Sequence, residues 1–523
     1  MKKTVSKITA ALLALLMFVS VMSVGAFAAN TEIVDASTKG TITVNGIEDS
    51  AVATAYKLID THFDYTAMAP SDPEYTWVDN AALRTYLNGQ YAGLVNADGS
   101  VNETVLDTIK NSPSESEKFY DGLSAKIKDG TIVLAEASSI TGNGTMANLE
   151  MGNYLVIIEG GERVYRASAV NVVPTYNEAA SKWEIENPTI TVKASDTKLT
   201  KKIVLADNSE VDKVNASVNE SVSFALSADV PTYPAASANT KISVSDKLAD
   251  ALVLDGDSIK VYGVNGVGMK TLLAQGTAYT VSAQRPNGDA VSFAIDFVYS
   301  QIKDYTSVRV EYSASLNENA VIGGAGNVNT AYLDYNNNPY SATETWKEYD
   351  ATATVYSYGF DLKKVDSKTG DVLTGAEFTL YSDADGAQAI TFVKTADGKY
   401  TVSNGAGATE NLVSADGTLV LSGLKAGTYY LKETKAPDKY NLPKKLKAIT
   451  IVDKEGVAAN TEDVTFANGL VAYSIENSQG FTLPTTGGMG TILFTAGGIV
   501  LIAAGAAMAV VLNKKSKKSH AED

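Results

Sequence analysis

The sequence predicts an all-β protein of tandem immunoglobulin-like sandwiches, the first carrying helical insertions, and three observations support this. The chain has 523 residues, more than a single hydrophobic core organises, so roughly two to four domains are expected. Apolar residues make up 45% and charged residues 20%, the balance of folded domains and not of disorder. Short runs rich in Val, Thr, Tyr and Ile recur between clusters of Gly, Asn, Asp and Pro, the pattern of strands and turns.

The two ends are targeting segments. Lys2, Lys3 and Lys7 precede an apolar stretch from Ala10 to Val24, and Ala26-Phe27-Ala28 is a small-x-small cleavage site. Residues 1–29 therefore read as a secretory signal peptide, with the fold beginning near Asn30. At the other end, 490–512 is an uncharged apolar run. At about 1.5 Å per residue it just spans a bilayer as a helix. Lys514, Lys515, Lys517 and Lys518 follow within 513–523 and stay cytoplasmic by the positive-inside rule. Just before the span stands Leu483-Pro484-Thr485-Thr486-Gly487.

Between the ends, 30–190 mixes strand runs (Thr41–Val44, Val52–Ile59, Asn153–Ile158) with helical signals. Asp79 is placed to cap a helix from Ala81 to Leu87. Ser114-Glu115-Ser116-Glu117 reads as a capping box before Phe119, Leu123 and Ile127 at helical spacing. Residues 191–356 are nearly all strand and turn, including Val222–Leu226, Lys241–Val244, Ser258–Tyr262, Val291–Phe297, Ser307–Tyr312 and Thr330–Tyr335, which suits a two-sheet sandwich. Residues 357–482 form a smaller sandwich that opens with Phe360-Asp361-Leu362-Lys363-Lys364 and closes on a strand Val471–Ile475.

Composition excludes several functions. The formal net charge of −17 argues against nucleic acid and anionic lipid as partners. The chain has no cysteine, so an exported multidomain protein lacks disulfides. His62 is the only histidine before the C-terminal tail. Ser-His and Cys-His catalysis and histidine-based metal sites are therefore absent, and neither an enzyme nor a cofactor or metal site is expected. Asp383-Ala384-Asp385-Gly386 and Asn96-Ala97-Asp98-Gly99 faintly resemble calcium loops, but without the remaining ligand spacing they read as turns.

Lys364-Val365-Asp366, Leu373-Thr374-Gly375-Ala376-Glu377-Phe378 and the Glu433-Thr434-Lys435-Ala436-Pro437 box resemble the collagen-adhesin B-type domain of Gram-positive surface proteins. The segment around Asn329-Thr330-Ala331-Tyr332-Leu333-Asp334-Tyr335 resembles the second domain of sortase-assembled major pilins. With the signal peptide and the LPTTG signal, the chain is similar to a backbone fimbrial subunit. The resemblance implies a covalently polymerised, wall-anchored surface fibre serving adhesion. Its implied partners are other copies of the chain, a class C-type pilin sortase, a housekeeping sortase, accessory pilins, peptidoglycan and host surface ligands. A monomeric wall-anchored adhesin, or an accessory pilin at the tip or base, is the alternative that shares these features.

In that family the internal staple is a Lys–Asn isopeptide bond formed beside a carboxylic acid, and residue parity selects candidates. Phe360 and Leu362 share a face with Lys364, and Leu199 and Ile203 with Lys201, so both lysines point inward. Asn329 shares parity with Ala331, Leu333 and Tyr335, with Asn327 as its fallback. Asn477 shares parity with Ile475 and Tyr473. The acids are Asp246, following Ile242 and Val244 on one face, and Glu433, following Tyr429 and Leu431. The resemblance also implies a lysine that joins Thr486 of the next subunit. Lys193, ten residues after Trp183, fits the domain-boundary position without the family's Tyr-Pro pair, and Lys182 and Lys198 are its rivals.

Overall fold

A computed structural model describes residues 34–65, 70–180, 182–341, 345–453, 466–467, 469–479 and 498–510. The signal peptide and the LPTTG signal lie outside the described residues. Of the expected membrane span, 498–510 is described and helical. No helix among the described residues is long and apolar enough to cross a membrane. The chain is mostly strand and divides into two compact units between Ser357 and Tyr358.

The first unit begins with a three-stranded sheet (Thr189–Thr191, Gly40–Asn45, Gly144–Leu149) and a five-stranded sheet centred on Ala51–Asp64 and Gly152–Gly160. Alternation buries Ile42 and Val44 on one strand, and Ala51, Ala53 and Ala55 on another. Three helices, Ala81–Gln90, Glu103–Lys110 and Pro113–Lys128, are inserted between strands Ser71–Trp77 and Glu136–Thr141. Their starts differ from the sequence reading. Asn80, not Asp79, caps the first helix, accepting from the Leu83 amide at 2.9 Å. Ser112, not Ser114, caps the third, because Pro113 takes the first helical position, where its missing N–H costs nothing. The middle helix, capped by Asn102, was not anticipated.

The rest of this unit is a sandwich of two six-stranded sheets. One runs Glu210–Val211, Leu199–Val204, Ser221–Asp229, Ser307–Leu316, Leu252–Val264, Lys270–Leu272. The other runs Lys213–Asn215, Trp346–Tyr356, Asn327–Asn336, Ile242–Lys247, Ala290–Phe297, Tyr279–Gln284. Asn327–Asn336 is therefore not the last strand: Trp346–Tyr356 follows and pairs with it along its whole length. The outer face of Asn327–Asn336 is pinned by Arg285. Its guanidinium binds Asp334 through two hydrogen bonds of 2.8 and 3.1 Å and lies 4.0 Å over the Tyr332 ring.

Tyr340, from the loop after that strand, is 1% exposed within the apolar cluster built by the three helices. Its hydroxyl donates to Asp121 at 3.0 Å and accepts from the Ala167 amide at 3.1 Å. Asp121 also accepts from the Ala235 amide at 2.9 Å. The Asn337 side chain donates to Gly161 O at 2.9 Å. The strands 189–191 and 194–195 likewise pair with earlier strands of this unit.

The second unit is a smaller sandwich. One sheet runs Phe392–Ala396, Lys399–Val402, Thr418–Leu424, Tyr358–Asp366, Leu470–Asn477, Phe466–Ala467, and the other Leu412–Val413, Glu377–Tyr381, Gly427–Lys435, Lys447–Ile451. Its first and last strands lie parallel, with Lys364 opposite Ile475 and Asp366 opposite Asn477.

Truncating Tyr340 leaves a cavity in the helix cluster and strips partners from buried Asp121. Tyr340→Ala should lower stability by about 3–5 kcal/mol. Calorimetric melting of the secreted chain measures this, and a loss under about 1 kcal/mol would show that Tyr340 does not anchor the helices.

Candidate functional site

Lys201 and Lys364 are the two buried lysines among the described residues. Each sits on the inward face of the first strand of its sandwich, as alternation dictates: Leu199–Val204 and Tyr358–Asp366 both point their even-spaced apolar neighbours into the core. Lys202, one residue on, turns outward to pair with Asp212 at 2.6 Å.

In the first unit, Lys201 Nζ is ion-paired with Asp246, whose side chain is fully buried, and it donates to the Tyr312 hydroxyl at 3.0 Å. The Tyr312 hydroxyl donates to Asp246 Oδ2 at 2.8 Å. It also accepts from Asn329 Nδ2 at 2.7 Å. Asn329 Oδ1 and Asp246 Oδ1 are buried without a hydrogen-bond partner. The cluster spans the sandwich. Lys201 and Tyr312 come from one sheet, Asp246 and Asn329 from adjacent strands of the other, with Asp246 opposite Ala331. Aromatic rings close it off: Phe224 stacks on Tyr312 at 5.3 Å, Phe293 meets its edge at 5.0 Å, and Lys201 Nζ lies 5.3 Å from the Phe224 ring centre.

Burial pushes the Lys201 amine down to about 8 against the opposing pull of Asp246. Burial pushes the Asp246 carboxyl up, against the pull of Lys201. Both shifts favour the uncharged pair, a nucleophilic amine beside a protonated acid.

In the second unit, Lys364 Nζ donates to Asn477 Oδ1 at 2.6 Å and to Ile475 O at 3.1 Å. Glu433 Oε1 accepts from Asn477 Nδ2 at 2.7 Å, and Glu433 Oε2 stands 3.5 Å from Lys364 Nζ. Here lysine and asparagine occupy neighbouring strands of one sheet, and the acid reaches across from the other. Burial lowers the Lys364 amine and raises the Glu433 carboxyl, each opposed by its partner's charge.

All six residues selected by parity thus meet in two clusters. Asn327 does not join the first: its amide is spent on Val321 N at 2.8 Å and Val355 O at 2.9 Å. Tyr312 was missed, although its inward position is legible from the alternation Val308, Val310, Tyr312, Ala314, Leu316. Lys193 is exposed between the strands 189–191 and 194–195, and its carbonyl accepts from the Arg166 amide at 3.0 Å. Lys198 is exposed too, while Lys182 is half-buried, 3.9 Å from Glu184. The two calcium-like loops are turns: Asp383 accepts from the amides of Ala387 and Gln388, and Asp98 from Ser100.

The fold and site define a class, tandem strand-built domains of which two hold a buried lysine clustered with an asparagine and an acid, and family comparisons say what such a chain is similar to. Residues 218–339 match the Gram-positive pilin backbone subunit 2, Cna-B-like domain. Residues 359–465 match the SpaA prealbumin-like fold domain, and 475–518 the LPXTG cell wall anchor motif. Together these matches make the chain similar to the backbone pilins of Gram-positive bacteria, with a cell wall anchor motif at its C-terminal end. It is 25% identical over 300 residues to the trypsin-resistant surface T6 protein of Streptococcus pyogenes serotype M6, a match spanning 54% of this chain and 51% of that protein. The chain thus covers about half the length of that curated relative. Its fold is similar to the solved T6 backbone pilin of that organism, described as a modular three-domain structure (TM-score 0.56, 19% identity, 86% of this chain and 100% of that one). The full-length major pilin SpaD of Corynebacterium diphtheriae aligns with a TM-score of 0.47 at 20% identity, over 87% of this chain and all of that one.

In an Asn329→Ala background, where no amide is available to react, adding Asp246→Ala leaves an uncompensated buried amine. That change should cost roughly 3–5 kcal/mol, whereas replacing Lys201 by Met and Asp246 by Leu together should be near neutral. Denaturant unfolding separates the two, and equal losses would contradict the pairing.

Proposed function

We propose that this chain is the shaft subunit of a covalently polymerised surface pilus, with each of two sandwiches stapled by a self-formed Lys–Asn isopeptide bond. The observation that carries this reading is the pair of buried lysine–asparagine–acid clusters in successive sandwiches of a chain that bears a wall-anchor motif. In each cluster the neutral amine attacks the asparagine carboxamide, the acid moves the protons, and ammonia leaves. Folding supplies the proximity that makes the step effectively unimolecular. The reaction runs once per molecule, so the chain is its own reagent and not a turnover enzyme.

A signal peptide exports the precursor, and the apolar C-terminal segment holds it in the plasma membrane. A class C-type pilin sortase then cleaves between Thr486 and Gly487 and transfers the Thr486 acyl group to Lys193 of another copy. A head-to-tail contact of this kind does not close and grows a linear fibre. At its base, a housekeeping sortase passes the polymer to peptidoglycan, and accessory pilins and host surface ligands complete the list of partners. Lys193 is favoured because its side chain is exposed on a segment tied down on both sides by strand pairing.

Two measurements test this. Intact mass of the secreted chain should fall short of the calculated value by ~17 Da per bond, one ammonia each. Lys201→Ala or Lys364→Ala should each restore one such increment, and a full calculated mass in the wild type would rule both bonds out. Boiled wall extracts should show a ladder on a denaturing gel that collapses to monomer in Lys193→Ala. A single band in the wild type would instead indicate a monomeric anchored adhesin or an accessory pilin.

A further inference from the structure

We propose that Tyr312 is a catalytic residue of the first-unit cross-link, its hydroxyl relaying a proton from Asp246 to the departing nitrogen of Asn329; this rests on the isopeptide reading above. The two clusters solve one chemical problem with different parts. In the second unit, Glu433 touches the leaving nitrogen directly, at 2.7 Å from Asn477 Nδ2. In the first unit the acid is shorter by one methylene, and the contact to the leaving nitrogen is made by a phenol instead, at 2.7 Å from Asn329 Nδ2. The same oxygen lies 2.8 Å from Asp246 Oδ2 and 3.0 Å from Lys201 Nζ. Tyr312 Oη is therefore in hydrogen-bond contact with the acid, the nucleophile and the leaving group.

In the resting cluster its hydrogen bonds run toward the carboxylate, and the relay uses the same contacts in the reverse direction once Asp246 is protonated. The hydroxyl donates to Asp246 and accepts from both nitrogens. Once the Lys201 proton has passed to Asp246, Nζ attacks Asn329 Cγ. As the Nζ–Cγ bond forms and the Cγ–Nδ2 bond breaks, the Tyr312 hydroxyl proton goes to Nδ2, and Asp246 replaces it from its carboxyl group. The proton shed by Nζ returns to Asp246. Ammonia carries off Nδ2, Asn329 Oδ1 stays as the carbonyl oxygen of the new amide, Tyr312 ends as it began, and Asp246 is left protonated, keeping the proton that the Lys201 ammonium first gave up. The ring is held for the task by Phe224 stacked on it and by the edge contact with Phe293. A buried phenol with its proton held this firmly acts as a conduit and does not ionise on its own; burial and the neighbouring Asp246 carboxylate both raise its titration far above the ordinary phenol range.

Tyr312→Phe removes the hydroxyl and keeps the ring. Intact mass followed over time after expression is stopped should show the first-unit ~17 Da loss slowed by about 100-fold or more, the scale of a lost general acid. The second-unit loss should remain as an internal control. Adding Asp246→Glu to Tyr312→Phe lengthens the acid so that it reaches Asn329 as Glu433 reaches Asn477, and bond formation should recover. A purely packing role for Tyr312 predicts no such recovery. Wild-type kinetics in Tyr312→Phe, or no recovery in the double variant, would overturn the role of Tyr312 while leaving the cross-link intact. Absence of any mass deficit in the wild type would instead remove the isopeptide reading itself.

Discussion

The structure depends on two lysine amines that have been taken out of water. An ammonium in a sandwich core carries a desolvation penalty of several kcal/mol, recovered only by a well-placed counter-charge or by giving up its proton. Asp246 and Glu433 provide the first route, and the same burial that weakens each lysine's charge also weakens that of its acid. Burial thereby shifts each pair toward its neutral form. An asparagine amide packed against that neutral form is a poised electrophile. The strand order and the aromatic walls serve to hold these few atoms together.

The two clusters share chemistry but not topology. Lys201 and Asn329 belong to opposite sheets, so a bond between them ties the faces of the sandwich together. Lys364 and Asn477 lie on neighbouring parallel strands, so a bond between them would tie the first strand to the last. On the proposed linkages, tension entering at Lys193 runs to Lys201, crosses to Asn329, follows the chain to Lys364, and crosses to Asn477 on its way to Thr486. The domain before Lys193 and the long loops enclosed by each bond lie off that line. Each loop is of the order of 100 residues, for which the chain-entropy treatment of a cross-link gives about 5 kcal/mol. No cysteine is present, so none of this depends on redox conditions.

The candidate site was more legible than the fold details around it. A strand's period of two states which side chains face inward, and a lysine on an apolar face violates the expected pattern visibly, as do Lys201 between Leu199 and Ile203 and Lys364 after Phe360 and Leu362. Tyr312 obeys that pattern, since a tyrosine on an inward face reads as ordinary core, and nothing in its own strand reveals the polar partners brought by two other strands. Trp346–Tyr356 escaped notice because only its last residues alternate clearly into the core. The helix caps were misplaced by one or two residues, because Asp79 and Asn80 are both good caps and Pro113 decides between the serines on either side of it, Ser112 and Ser114. Tyr340 sits in a loop, where no periodicity marks a residue destined for a neighbouring core.

The central claim is covalent, so the direct test is to look for the bonds. Protease digestion of the secreted chain followed by tandem mass spectrometry should yield two branched peptides, one joining Lys201 to Asn329 and the other Lys364 to Asn477, each lacking one ammonia. Linear peptides that account fully for these four residues, with free lysine amines and intact asparagine amides, would contradict the account.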